Sequence, residues 1–269
     1  MRPGLSINLG LMAAAALMLA GAVYAQTPQS PKRDVVYVPT PIEVVERMLT
    51  MAEVKKGEFL IDLGSGDGRI PITAAKKYGA RGFGVDIDPE RVAESLENAR
   101  REGVADRVEF RVQNLYETDF SKADVLSMYL LHEINYKLRP RILDSMRAGT
   151  RVVSHAFDMG DWKPDQEDRV GPRLVYLWIV PAKLAGRWEL QAGEARIALG
   201  LDQDYQVLRG SAQVNGHPTP LRDARLSGTR VRFTLDIDGR ARTFTGSVNG
   251  DTIEGATGER WKATRVRSL

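Results

Sequence analysis

The apolar positions of this chain change period once, and the change divides it. Up to about residue 180, short strand-like runs alternate with stretches whose apolar residues recur at three and four; beyond residue 185 they recur at every second position. The runs at 59–63, 81–86, 108–113, 125–129, 150–155 and 175–180 read as strands. The first, with Phe59, Leu60, Ile61 and Leu63, has the continuous apolar character of a parallel strand covered on both faces. Helices are expected at 41–52, 70–77, 89–102 and 137–146. In the first of these, Ile42, Val45, Met48, Leu49 and Ala52 share a face, Thr40 and Glu43 have capping-box spacing, and Pro41 falls at the first helical position. Strand, helix, strand, helix, strand in that order predicts a parallel sheet of the α/β class over residues 37–182. From 185 to 269, the turn pairs Ala192-Gly193, Asn215-Gly216, Ser227-Gly228, Asp238-Gly239 and Asn249-Gly250 separate alternating runs. They predict a separate antiparallel sandwich or small barrel with a binding or stabilising role.

The first strand runs into Asp62-Leu63-Gly64-Ser65-Gly66-Asp67-Gly68-Arg69, a glycine-rich loop at the sheet edge where open α/β folds bind ligands. Its spacing is G-x-G-x-G, and Arg69 stands where a nicotinamide fingerprint needs its third glycine. Asp62 and Asp67 would repel a pyrophosphate at the following helix N-terminus, yet they suit a ligand that carries an ammonium and a sulfonium. That ligand is S-adenosylmethionine. Asp86, at the end of the next strand and 20 residues past Gly66, is placed to accept both ribose hydroxyls. Residues 156–172, rich in Asp, Gly and Pro, form a candidate substrate-facing loop. On it Trp162 either meets substrate or only packs.

Composition narrows the chemistry further. A chain of 269 residues without cysteine has no disulfide, no thiolate nucleophile and no sulfur-ligated zinc. Its three histidines, His132, His155 and His217, are too dispersed to suggest a metal centre, and none is expected. The 38 basic and 35 acidic residues are interspersed, so nothing calls for a nucleic-acid partner. Arg2, the apolar stretch 5–23 and the Val23-Tyr24-Ala25 site read as a signal peptide cleaved after residue 25, followed by a Pro, Gln and Ser-rich leader at 26–36. The chain is thus expected in the periplasm or cell envelope. An uncleaved membrane anchor is the alternative.

Residues 37–181 resemble class I S-adenosylmethionine-dependent methyltransferases, and more narrowly the group that includes archaeal broad-specificity protein lysine methyltransferases and mitochondrial ATP synthase c-subunit lysine methyltransferases. The carriers are Tyr37-Val38-Pro39-Thr40-Pro41, the glycine loop, Gly84-Val85-Asp86, Tyr129-Leu130-Leu131 with Asn135, Leu138-Arg139-Pro140, and the block at 149–155. The resemblance implies a Rossmann-like, seven-stranded sheet and S-adenosylmethionine as cofactor. It further implies that Asp62, Gly64, Ser65 and Gly66 hold the methionine end, Asp86 the ribose, and Asn114 with Leu115 the adenine, Asn114 standing where many members have aspartate. Thr40 would close over the methionine portion, Tyr37 would meet substrate, and Tyr129 would face the reacting centre as the catalytic residue. The expected reaction is methyl transfer to a protein lysine. A small-molecule acceptor and a non-catalytic cofactor-binding envelope protein are the rivals.

Overall fold

A computed structural model of the protein describes residues 37–255 and 260–267; the expected signal peptide, 1–25, and leader, 26–36, lie outside them. The first half runs α1 (Ile42–Met51), β1 (Phe59–Leu63), α2 (Arg69–Thr73) with a π-helical continuation Ala74–Tyr78, β2 (Arg81–Asp86), α3 (Pro89–Arg101) and β3 (Val108–Val112). It continues with β4 (Val125–Met128), α4 (His132–Ser145), β5 (Arg151–His155), β6 (Gln166–Val170) and β7 (Arg173–Ile179). These strands form one seven-stranded sheet in the order β3-β2-β1-β4-β5-β7-β6, with β1 to β5 parallel and β7 antiparallel to both neighbours. Strand order reverses between β1 and its neighbours β2 and β4. A crevice therefore opens at the carboxyl end of β1. In register, Asp62 lies between Gly84 of β2 and Ser127 of β4, which brings an acid, a bare backbone and a hydroxyl to that crevice.

Helices cover both faces and hide the strands. Val44, Val45, Met48 and Leu49 of α1 pack with Leu60, Val153, Val175 and Leu177 on one side, and Ile134, Leu138 and Ile142 of α4 pack with Leu126 and Trp178 on the other. The expected capping box does not form. Pro41 is the N-cap of α1 and no side chain caps it, because the Thr40 hydroxyl is engaged 3.1 Å from His155 Nδ1. Helix α4 starts at His132 rather than 137, and Pro140 sits inside it. Strand β6 crosses the stretch expected to be loop; its Gln-Glu-Asp-Arg-Val sequence lacks an apolar alternation because the strand pairs only with β7 at the sheet edge.

Strands β8 (Gly186–Ala192) through β16 (Trp261–Arg265) form a nine-stranded antiparallel sheet that curls until it is nearly closed. Near the seam, the Leu221 amide donates to Gly210 O at 3.0 Å. Its interior holds Trp188, Phe233, Phe244 and Trp261, and Gly255 is obligatory there, because a Cβ on it would meet Trp261 Nε1 at 2.6 Å. This sheet meets the first through a small set of contacts. The Ala182 amide donates to Gly228 O at 2.8 Å, Gln206 Nε2 to Lys163 O at 2.6 Å, and the Tyr205 hydroxyl to Asp161 at 2.9 Å.

Candidate active site

The loop after β1 folds back on β2. The amides of Gly64 and Ser65 both donate to Val85 O at 2.9 Å, and Gly64, Gly66 and Gly68 take φ values of 76°, 53° and 80°, a region that side chains disfavour. The Gly66 amide donates to Asp86 Oδ2 at 2.9 Å and the Asp88 amide to Asp86 Oδ1 at 3.0 Å. One backbone donor on each oxygen fixes the Asp86 carboxylate and leaves each oxygen with further acceptor capacity. Asp88 itself caps α3 by accepting from the Glu90 amide at 3.0 Å.

A cavity of about 510 Å³ opens over this loop. Thr40, Asp62, Gly64, Ser65, Asp86, Asn114, Leu115, Tyr129 and Tyr37 all line it. Gly66 lies beneath, passing its amide to Asp86 and carrying the Tyr37 ring, since a Cβ there would come within 2.3 Å of Tyr37 Cε2. Trp162 is elsewhere. Fully buried, it stacks on Tyr205 and tilts against Trp178, so its expected contact with substrate is corrected to a packing role. The apolar contacts available between the two sheets outweigh those of an open loop tip. Asn114 is committed to the turn that follows β3, accepting from the Tyr116 amide at 3.0 Å.

The two acids of the loop have different fates. Asp67 is matched by Arg69, whose Nε lies 2.9 Å from Oδ1, whose Nη2 donates to Oδ2 at 2.5 Å and whose Nη1 donates to Thr40 O at 2.8 Å. Burial pushes Asp67 up, but the hydrogen bonds and charge of Arg69 outweigh it and hold the carboxyl below the usual range. Among the described residues, no cation faces Asp62. It is 2% exposed and accepts a hydrogen bond from Ser127 Oγ at 2.7 Å. Burial, opposed by Ser127 and reinforced by the charges of Asp86 and Asp67, pushes it up to about 7. A cationic ligand in the cavity would return it to the ionised form. Ser65 Oγ is buried on the same wall without a hydrogen-bond partner among the described residues. An unpaired buried hydroxyl, an uncompensated buried acid and a fixed carboxylate fit a ligand with an amine at one end and a diol further along.

Beyond the acids the cavity turns apolar, with Tyr129, Leu130, Leu131, Ile134 and Phe157 on its wall. Tyr129 packs its ring 3.9 Å from that of His155, and among the described residues its hydroxyl has no hydrogen-bond partner. Burial, with the Arg173 charge adding to it, pushes His155 down to about 4, so this ring is neutral at physiological pH. Three lining residues, Tyr37, Val38 and Leu131, are 39%, 56% and 36% exposed. Sequence reasoning had not marked Phe157, Ile134 or Arg91. Phe157 could have been found, for it lies two residues past the end of β5 on the ligand edge of the sheet.

Comparison with known proteins gives this geometry its relatives. The family described as the ANTKMT methyltransferase domain matches residues 62–166. A protein-lysine N-methyltransferase of Saccharolobus islandicus is 42% identical over 149 residues, 54% of this chain and 92% of its own length. The human lysine N-methyltransferase of the ATP synthase c-subunit is 32% identical over 152 residues, 56% of this chain and 64% of its own length. Among solved structures, an RNA methyltransferase from Salinibacter ruber in complex with S-adenosyl-L-homocysteine is 50% identical, covers 55% of this chain and 96% of that one, and superposes with a TM-score of 0.54.

Proposed function

This chain belongs to the S-adenosylmethionine-dependent methyltransferase family of those relatives, and from that premise we propose that it methylates the ε-amine of lysine side chains in proteins. The carrying observation is one cavity that joins an acidic set, Asp62, Asp67 and Asp86, to an apolar, aromatic wall with surface-exposed members. When bound, S-adenosylmethionine supplies an electrophilic methyl group on a sulfonium. Asp62 and Ser65 would hold its amino-acid end and Asp86 its ribose, as the fit of those groups supports. Lysine in water is almost wholly protonated at neutral pH, with a pKa of about 10.4, and an ammonium has no lone pair to attack with. The wall of Tyr129, Leu130, Leu131, Ile134 and Phe157 disfavours the charged amine by desolvation and so favours the nucleophilic form. The unpartnered Tyr129 hydroxyl is free to accept a hydrogen bond from the incoming nitrogen and orient it.

Lysine is also the acceptor in the name of the Saccharolobus relative, whereas RNA is the acceptor in that of the Salinibacter structure. The local charge favours the amine. Asp62, Asp67, Asp86 and Asp88 line the cavity against only Arg69 and Arg91, the first engaged by Asp67 and the second by Glu94, so a phosphate backbone would meet net negative charge there. A cavity with exposed Tyr37, Val38 and Leu131 on its wall suits a side chain presented by a macromolecule better than an enclosed small molecule. Tyr129→Phe removes only the hydroxyl, and we expect labelled methyl incorporation into lysine to fall at least tenfold, about 1.4 kcal/mol of transition-state stabilisation. Incorporation unaltered by the variant would remove the phenol from the mechanism.

We also place the protein in the cell envelope, on the order of charged start, apolar core and Val23-x-Ala25 site in its sequence. N-terminal sequencing of the envelope fraction is expected to begin at Gln26, and a sequence beginning at Met1 would favour a retained anchor.

A further inference from the structure

Two loops converge on the rim of the apolar end. Leu131, on the cavity wall, is followed directly by His132, the first residue of α4; Phe157, on the same wall, is followed directly by Asp158. The His132 Nδ1 and Asp158 Oδ1 atoms are 3.2 Å apart. The His132 ring meets Phe157 edge-on, with centroids 5.1 Å apart, and Phe157 in turn stacks 6.1 Å from Tyr129. An aromatic row thus runs from the reacting end of the cavity to the surface. The Asp158 segment is pinned. Its carboxylate also accepts the Gly160 amide at 3.1 Å, Asn135 Nδ2 donates to Phe157 O at 3.1 Å, and Ser154 Oγ donates to the same carbonyl at 2.7 Å.

Resting on the lysine reading above, we propose that His132 and Asp158 form the proton acceptor of this site. Asp158 holds the ring with its hydrogen on Nδ1, which leaves the Nε2 lone pair free. An N–H bond of the incoming ammonium breaks, the proton moves to Nε2, and the pair stays on nitrogen. That pair then forms the N–C bond as the methyl's bond to sulfur breaks, its electrons remaining on sulfur. The His132 side chain is 46% exposed, so the imidazolium returns its proton to water. Glu133 stands beside it on α4, and Arg139 of the same helix is paired with Asp161. His155 is unsuited to the task, being fully enclosed, held below its usual protonation range by burial, and bonded to Thr40. A surface His–Asp pair that serves stability alone has no reason to influence the methyl-transfer rate.

The test uses the full chain, tritiated S-adenosylmethionine, and a panel of a histone mixture, cytochrome c and poly-L-lysine. His132→Ala is expected to leave cofactor affinity by calorimetry within about twofold, to lower the rate on lysine about 100-fold, and to regain at least tenfold on adding imidazole. In long-range proton–nitrogen spectra without cofactor, the wild-type ring is expected as the Nδ1–H tautomer and Asp158→Asn is expected to shift it towards Nε2–H. A wild-type protein that labels lysine beside a His132→Ala rate that does not fall, or that falls without rescue by imidazole, overturns the proton-acceptor role and leaves the lysine reading standing. A wild-type protein that binds cofactor and labels no lysine in the panel overturns both.

Discussion

Asp62 concentrates the electrostatic cost of this site. A carboxyl normally near 3.9 is held at about 7 by burial, so the folded, ligand-free protein retains a proton there that the unfolded chain releases. Stability from this group is therefore present below about pH 4 and is lost as pH rises towards 7. Asp62→Asn is expected to raise the melting temperature of the free protein at pH 8 while weakening S-adenosylmethionine binding. Cofactor affinity should behave in the opposite sense, being full above pH 7 and falling towards tenfold per unit below it, with proton release on binding at pH 6. Calorimetry in two buffers of different ionisation enthalpy checks both; an affinity flat from pH 5.5 to 8.5 would detach Asp62 from the ligand's cation. Asp86→Ala, which strands the Gly66 and Asp88 amides as well as any hydroxyl partner, is expected to cost roughly 1–3 kcal/mol of cofactor binding. An unchanged calorimetric affinity would remove Asp86 from the ribose position.

The elements around the site differ in how plainly the sequence declared them. Strands β1, β4 and β5 were legible because they are buried and continuous, and Asp62, Asp86 and Tyr129 were legible because they sit at strand ends where topology, rather than local contacts, decides exposure. Strand β6 was hidden by its polar composition, and the start of α4 by Leu131, an N-cap that offers no side-chain acceptor. Thr40 has the spacing of a cap, but His155, 115 positions away, competes for its hydroxyl, and no local pattern reports such a rival. The His132–Asp158 pair, joined across two separate loops, escaped for the same reason. The glycine loop admits a direct test. Gly66→Ala places a Cβ at φ 53° and within 2.3 Å of the Tyr37 ring, so it combines backbone strain of roughly 1–2 kcal/mol with displacement of the segment over the cavity. Weaker cofactor binding with a lowered melting temperature is expected. Unaltered binding would mean that Tyr37 does not need its seat on Gly66.

At the scale of the whole molecule, a cofactor site built on the first sheet is joined to a curled antiparallel sheet by Ala182, Tyr205, Gln206 and the buried face of Trp162. None of those contacts reaches the cavity lining. A chain ending near Ala182 is expected to remain soluble and bind S-adenosylmethionine, with a lower melting temperature because the Trp162 ring loses Tyr205. Loss of both solubility and binding would mean that the second sheet completes the first one's core. The methyl acceptor is decided most directly by incubating the full chain with S-adenosylmethionine labelled in the methyl group, lysine-rich proteins and RNA together, and fragmenting the products by mass spectrometry. Label confined to lysine ε-nitrogen is the expected result; label in RNA, or no label on lysine where calorimetry has established cofactor binding, would contradict it.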